Sequence, residues 1–203
     1  MDQYLIVLKD FASTHALYAY ITVSLLALSE AIPVVGTVVP GSTLVFGISA
    51  LAISADADPW ILLFAATAGA IAGDCFSFWL GQHYRERILR AWPLSHYPQL
   101  ITRSEQLIVK FGAASVVLAR FMAVVRAFVP LIAGILRMSP WQFYSANIIS
   151  AVIWASAHVF PGIMLAAVLR LAGASAEQRA IIIVSGIAVI FVIFATRMYY
   201  KTR

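Results

Sequence analysis

RFMAVVRAFVPLIAG, Arg120 to Gly134, sets two arginines six residues apart in a run that is otherwise almost wholly apolar. A second stretch, SEAIPVVGTVVPG from Ser29 to Gly41, keeps one acid, Glu30, in similar company. In each, an ionisable residue precedes residues that interrupt helices: Pro33, Gly36, Pro40 and Gly41 after Glu30, and Pro130 and Gly134 after the arginines. Proline removes a backbone donor and clashes with the turn before it, so neither stretch reads as a plain helix.

Composition identifies the solvent around these stretches. The chain has 203 residues, 62% hydrophobic and 11% charged, with a mean hydropathy of +0.90. Soluble domains carry about 25% charged and about 45–50% apolar residues. No soluble core of this size hides so much apolar surface, so lipid is the solvent for most of the chain. The fold class expected is an all-α integral membrane protein.

Charge-free runs mark its segments. Phe11–Ser29 and Ala31–Ala55 are separated only by Glu30, and Pro59–Tyr84 is interrupted only by Asp74. Phe111–Leu136 is apolar apart from Arg120 and Arg126; Met138–Leu169 carries no formal charge, with Pro161 inside it where a tilt or kink is expected. Ala180–Thr196 is the last span, ending near Tyr199 and Tyr200, which have the look of an interfacial belt.

Broken backbone at membrane depth is tolerated only where protein covers it or where it lines a watery cavity. Paired broken segments in the two halves of a chain are a sequence pointer to a transporter's binding site. We therefore expect two re-entrant helical hairpins in a pseudo-repeat, hairpin 1 over about 15–41 and hairpin 2 over about 111–137. The alternative for each is an ordinary helix kinked at proline. Residues 1–14 are expected to form a short interfacial helix, since MDQYLIVLKD has acids at both ends and lacks the basic start of a secretory signal. Residues 15–196 then form one membrane domain.

The net charge of +5 follows membrane topology better than nucleic-acid binding. Arg85, Arg87, Arg90, Arg103 and Lys110 gather in a basic stretch over 83–110, and Arg197, Lys201 and Arg203 in a tail over 197–203. Both are expected on the cytoplasmic side, so the C-terminus is cytoplasmic, while SADADP, with Asp56 and Asp58, faces out. Neither basic group has the signature of a nucleic-acid module. Cys75 stands alone, so no intrachain disulfide forms. No Gly-x-Ser-x-Gly elbow, His-Glu-x-x-His motif or metal-binding carboxylate cluster is visible, and neither an enzyme nor a metal or other cofactor is expected.

Arginine in hydrocarbon costs at least ~2.5–3.5 kcal/mol and does not escape by losing its proton. Two would cost ~5–7 kcal/mol on that scale, against a domain's typical stability of ~5–15 kcal/mol. One offset is an internal acid, Glu30 or Asp74, in a structural ion pair. The other is an anion that arrives, a lipid phosphate, whose oxygens the planar guanidinium matches two at a time. Both hold if a substrate displaces the internal partner. On one continuous helix Arg120 and Arg126 would point about 120° apart, so a break between or after them, near Pro130, is expected to let them converge.

Glu30 differs from the arginines because a carboxylate can take a proton and lose its charge. It is the first candidate for proton coupling and Asp74 the second, against a plainly structural role for each. Asp74 follows Gly69 and Gly73, whose spacing allows close helix packing; as a structural residue it would bond backbone exposed in a neighbouring hairpin. Asn147 and Trp154 lie seven apart on one helix face. Asn147 is expected to tie that helix to a hairpin, Trp154 to pack, and His158 to make an interior hydrogen bond.

These residues form a longer pattern. Phe111, Gly112, Arg120, Phe121, Arg126, Pro130, Ala133, Gly134, Met138, Phe143, Asn147 and Trp154 fall in the string F-G-x(7)-R-F-x(4)-R-x(3)-P-x-x-A-G-x(3)-M-x(4)-F-x(3)-N-x(6)-W. The string resembles the DedA family, the bacterial branch of the VTT-domain or SNARE-associated group. Glu30 with Pro33, Pro40 and Gly41, then Gly69, Gly73, Asp74 and Gly81, resemble its first half. The resemblance implies two facing re-entrant hairpins in the bacterial cytoplasmic membrane. It also implies translocation of phospholipids or the polyprenyl carrier undecaprenyl phosphate between leaflets, driven by the proton gradient in some members. The family's essential acid and paired arginines correspond to Glu30, Arg120 and Arg126. Two positions depart from the pattern: Ser42 stands where many members have a second acid, and Ala123 where many have a proline between the arginines. The second departure leaves the hairpin break to Pro130 and Gly134.

The leading expectation is a flippase for a phosphate-bearing lipid, with Arg120 and Arg126 on the phosphate and Glu30 exchanging a proton. The alternatives are a proton-coupled exchanger of small ions or drugs, and a passive scramblase. Self-association into a homo-oligomer stays open.

Overall fold

The computed structural model describes residues 2–33, 35–38, 40–54, 57–90, 98–122 and 125–201. The first half runs α1 (Asp2–Glu30), a break, the single turn α2 (Val35–Val38), α3 (Gly41–Ser54) and α4 (Pro59–Arg90). The second runs α5 (Pro98–Phe111), α6 (Ala114–Ala119), a 3₁₀ turn (Val125–Ala127), α7 (Val129–Ile135) and α8 (Pro140–Leu171). Helix α9 (Ala176–Lys201) follows, and no strand occurs among the described residues.

The halves keep one register. A separation of 81 residues carries the end of α1 at Glu30 to the end of α5 at Phe111, and Val38 of α2 to Ala119 of α6. It also carries Ser54 to Ile135, and Pro59 of α4 to Pro140 of α8. Helices α4 and α8 both have 32 residues and both open on Pro-Trp. Part of the packing respects the exchange, since α4 lies on α7 and α8 lies on α3, while α4 and α8 pack on each other. Glycines make the close approaches equivalent: Gly81 of α4 meets the backbone of α7, and Gly162 of α8, 81 residues on, meets the backbone of α3.

Lengths sort the elements. Pro59–Tyr84 and Pro140–Leu171 are long and apolar enough to cross a membrane. The 14 residues of α3 reach only ~21 Å, and the 6 and 7 residues of α6 and α7 only ~9–11 Å, against a hydrocarbon core of ~30 Å.

Helix α8 is inside out by the standards of a soluble protein. It buries Asn147 and Ser150 while Ile148, Ile149, Val152 and Ile153 face outward. That arrangement suits a surface bathed in lipid. The interior is built on small residues, with Gly69 and Gly73 of α4 against the backbone of α1 at Ser24 and Leu28, the close packing their spacing predicts. Phe78 and Phe143 stack at 4.0 Å to join α4 to α8.

Several expectations change. Residues 1–14 form no element of their own, because α1 runs unbroken from Asp2 to Glu30, a stretch without proline or glycine. The first broken unit extends past residue 41, since its return leg α3 continues to Ser54. In the second unit the described residues outside α-helix, 120–122 and 125–128, put the interruption between the two arginines, one of the two places expected, and upstream of Pro130 and Gly134. Pro130 instead sits in the first turn of α7, where its missing N–H has no helical acceptor to lose and its ring bars the helix from extending backward. Gly134 lies within α7, where a Cβ would overlap the Phe78 carbonyl of α4, so its role is close packing. Helix α8 passes through Pro161 as one element. Asp56, Ala123 and the 91–97 part of the basic stretch lie outside the described residues, as do the side chains of 197–203.

Candidate functional site

Glu30 is the last residue of α1. The chain turns immediately: Ala31 N bonds Leu28 O at 3.1 Å, Gly36 N bonds Ile32 O at 2.9 Å, and buried Pro33 lies at the bend. Pro40 then begins the return leg, its carbonyl accepting from Leu44 N at 3.2 Å. A Cβ on Gly41 would come 2.5 Å from Oε2 and 3.0 Å from Cβ of Glu30, so the return leg passes close against the acid. The breaking residues of the first unit thus fold its return leg directly over the acid.

Two buried ion pairs result. Arg126, in the 3₁₀ turn, donates from Nη1 to Oε1 of Glu30 at 3.0 Å, with side chains 6% and 8% exposed. Arg120, just past α6, donates from Nη2 to Oδ2 of Asp74 on α4, with side chains 4% and 7% exposed. Both pairs join an acid of the first half to an arginine of the second. In the 81-residue register the arginines correspond to Val39 and Val45, and Glu30 and Asp74 to Phe111 and Ala155, so the charges are divided between the halves rather than repeated.

Uncharged groups complete each site. Asn147 Oδ1 accepts from Arg120 Nη2 at 2.7 Å and Ser150 Oγ accepts from Arg120 Nε at 3.1 Å. Ser42 donates to Oε1 of Glu30 at 2.5 Å and accepts from Arg126 Nη1 at 3.3 Å. The ring of Trp154 faces the Arg126 guanidinium at 4.9 Å. His158, half-buried, bonds its own helix instead of a neighbour across the bundle, Nδ1 to Trp154 O at 2.7 Å.

Glu30, Asp74, Arg120, Arg126, Asn147 and Trp154 are therefore gathered in one region. Among the described residues Asp74 pairs with Arg120, and Ser77 is the α4 residue that meets backbone of the first break, its hydroxyl donating to the Ala31 carbonyl at 3.0 Å. Trp154 packs, as expected, and also faces a cation. Ser42 stands where many members of the family have an acid, and nothing in the residues next to it points to Ser150 as a site residue. The signal for Ser150 lies in its register: three residues past Asn147 and four before Trp154 is one helix face.

The sites share a cavity lined by Asp74, Val116, Arg120, Arg126 and Pro130, with about 10 Å³ available, room for about one water molecule. Arg120 Nη1 and Glu30 Oε2 are buried with no hydrogen-bond partner among the described residues. No cluster of three metal-binding side chains occurs among the described residues. Chemically, the site can hold an anion between two fixed cations, or move protons on two carboxylates.

The family model described as the VTT domain matches residues 39–164. The chain is 29% identical over 160 residues to the inner membrane protein YabI of Escherichia coli, covering 79% of this chain and 63% of the relative. It is 26% identical over 158 residues to protein DedA of Escherichia coli, covering 76% and 72%. An uncharacterized membrane protein of Synechocystis, slr0232, is 37% identical over 125 residues, covering 60% and 56%. The chain thus spans under two thirds of the length of YabI. No solved structure gives a significant match.

Proposed function

We propose, from the premise that the chain belongs to the VTT-domain (DedA) family, that it carries a phosphate-bearing lipid between the leaflets of the cytoplasmic membrane, exchanging protons as it does so. The observation that carries this reading is the pair of arginines held at a broken segment inside a chain of membrane composition. Arginine is a costly way to staple helices in lipid, and its fork is suited to phosphate oxygens. The short reach of α3, α6 and α7 supports reading both broken units as re-entrant hairpins.

The cavity between the arginines holds no phosphate as it stands. A headgroup therefore enters by displacing Asp74 and Glu30, so the cations exchange internal carboxylates for an external anion. Each displaced acid loses its counter-charge and takes a proton, which couples lipid movement to protons. Arg120 Nη1 and Glu30 Oε2, without hydrogen-bond partners among the described residues, are the atoms left for that exchange.

A second reading, a proton-coupled exchanger of small ions, is favoured by the one-water size of the cavity. Headgroup-resolved lipid translocation in reconstituted vesicles, at two pH gradients, separates the two. On the lipid reading Arg126→Ala abolishes translocation and Arg126→Lys restores part of it. Full translocation by the alanine variant ends that reading, and ion efflux without lipid movement supports the second. Translocation indifferent to a collapsed gradient would indicate a passive scramblase.

A further inference from the structure

Helix α8 meets both arginines with groups that carry no charge. Asn147, Ser150 and Trp154 lie along one face and are all buried. Both polar acceptors are held in orientation: Asn147 Nδ2 reaches the Ile71 carbonyl at 3.4 Å, and Ser150 donates to the Asn147 carbonyl at 3.0 Å. Their remaining lone pairs face Arg120. Further along the same face, Trp154 offers Arg126 its ring at 4.9 Å. Its indole N–H has no acceptor among the described residues, so what it contributes here is the negative face of the ring.

The carboxylates come from elsewhere: Asp74 from α4 and Glu30 from the end of α1. A guanidinium keeps its charge under all conditions. When its carboxylate withdraws, it stays in apolar surroundings only if something uncharged still holds it. We propose that α8 is the fixed seat of both arginines, Trp154 positioning Arg126 and Asn147 positioning Arg120, so that the acids move when the site changes partners. The consequence for transport rests on the carrier reading above; the seat itself does not.

The test compares thermal midpoints of the full chain in detergent micelles as wild type, Glu30→Gln, Trp154→Leu and the double variant. With the carboxylate replaced, Arg126 depends on the ring, and the double variant loses about 4 °C more than the two single losses together. Trp154→Phe, which keeps an aromatic face, shows a smaller excess. Additive midpoints mean that Trp154 only packs, and they overturn the proposal. If Trp154→Leu does not fold, Asn147→Ala with Asp74→Asn makes the same comparison at Arg120.

In vesicles carrying fluorescent phosphatidate, Trp154→Leu raises the half-saturating lipid concentration about tenfold, with a smaller change in maximal rate. Trp154→Phe raises it less. A fall in rate alone, at unchanged half-saturation, counts against the seat. If the wild type moves no lipid, the carrier reading fails while the thermal comparison still decides the seat.

Discussion

Breaking the Arg120–Asp74 pair is expected to cost more when the acid is removed than when the arginine is. The two side chains are 4% and 7% exposed, and removing one partner of a buried pair costs about 3–5 kcal/mol. Asp74→Leu strands a guanidinium that still keeps Asn147 and Ser150, which places the loss near the low end, about 3 kcal/mol. For a chain of this size that is about 6–12 °C in thermal midpoint. Arg120→Leu leaves an acid that can take a proton and become neutral, so only lost hydrogen bonds remain, about 1–2 kcal/mol or about 2–8 °C. The double variant Asp74→Leu with Arg120→Met leaves no stranded charge and should return to within about 1 kcal/mol of wild type. Thermal unfolding in micelles, followed by loss of the monodisperse species, reads all three. An arginine deletion as damaging as the acid deletion would show that the charge is not confined in apolar surroundings. A double variant worse than either single would show the same.

Ser42→Ala removes the hydroxyl that bridges Glu30 and Arg126 and should lower stability by about 1–2 kcal/mol, read as a lower midpoint with a several-fold slower translocation. Ser77→Ala takes away the hydroxyl bonded to the Ala31 carbonyl in the first break and should cost about 1–3 kcal/mol, seen as faster amide exchange around residues 31–36. Gly69→Ala and Gly134→Ala would each press a methyl into backbone and should cost about 1–3 kcal/mol. Gly186→Ala in α9 meets nothing within 4 Å and should be neutral or raise the midpoint slightly.

Much of the architecture is legible because lipid imposes one rule on every residue. Pro59–Tyr84 and Met138–Leu169 stand out as spans because each is apolar beyond the width of the hydrocarbon; the first falls within α4, and the second within α8 apart from Met138 and Ser139. The end of α1 at Glu30 and the start of α3 at Gly41 follow from Pro33, Gly36, Pro40 and Gly41. The second break was harder to locate. Pro130 shows that a helix cannot run through it from the N-terminal side, but it equally well begins a helix, and here it does. Ser42 and Ser150 were hidden for a different reason. Serine is common in apolar segments, where it usually bonds its own helix, as Ser145 and Ser185 do here.

Two arginines and two acids in apolar sequence already require neutralisation, because charge in hydrocarbon is too costly to leave alone. That requirement, with the membrane solvent and the paired broken segments, can be read from hydropathy and residue type, which are properties of each position in turn. Which acid meets which arginine cannot be read this way. The partners lie 46 and 96 positions apart, and contact between them depends on how closely α4 approaches α1 and α7. Glycines at 69, 73, 81 and 134 set those approaches. Folding is what joined Glu30 and Asp74 of the first half to the two arginines of the second and left room for about one water molecule beside them.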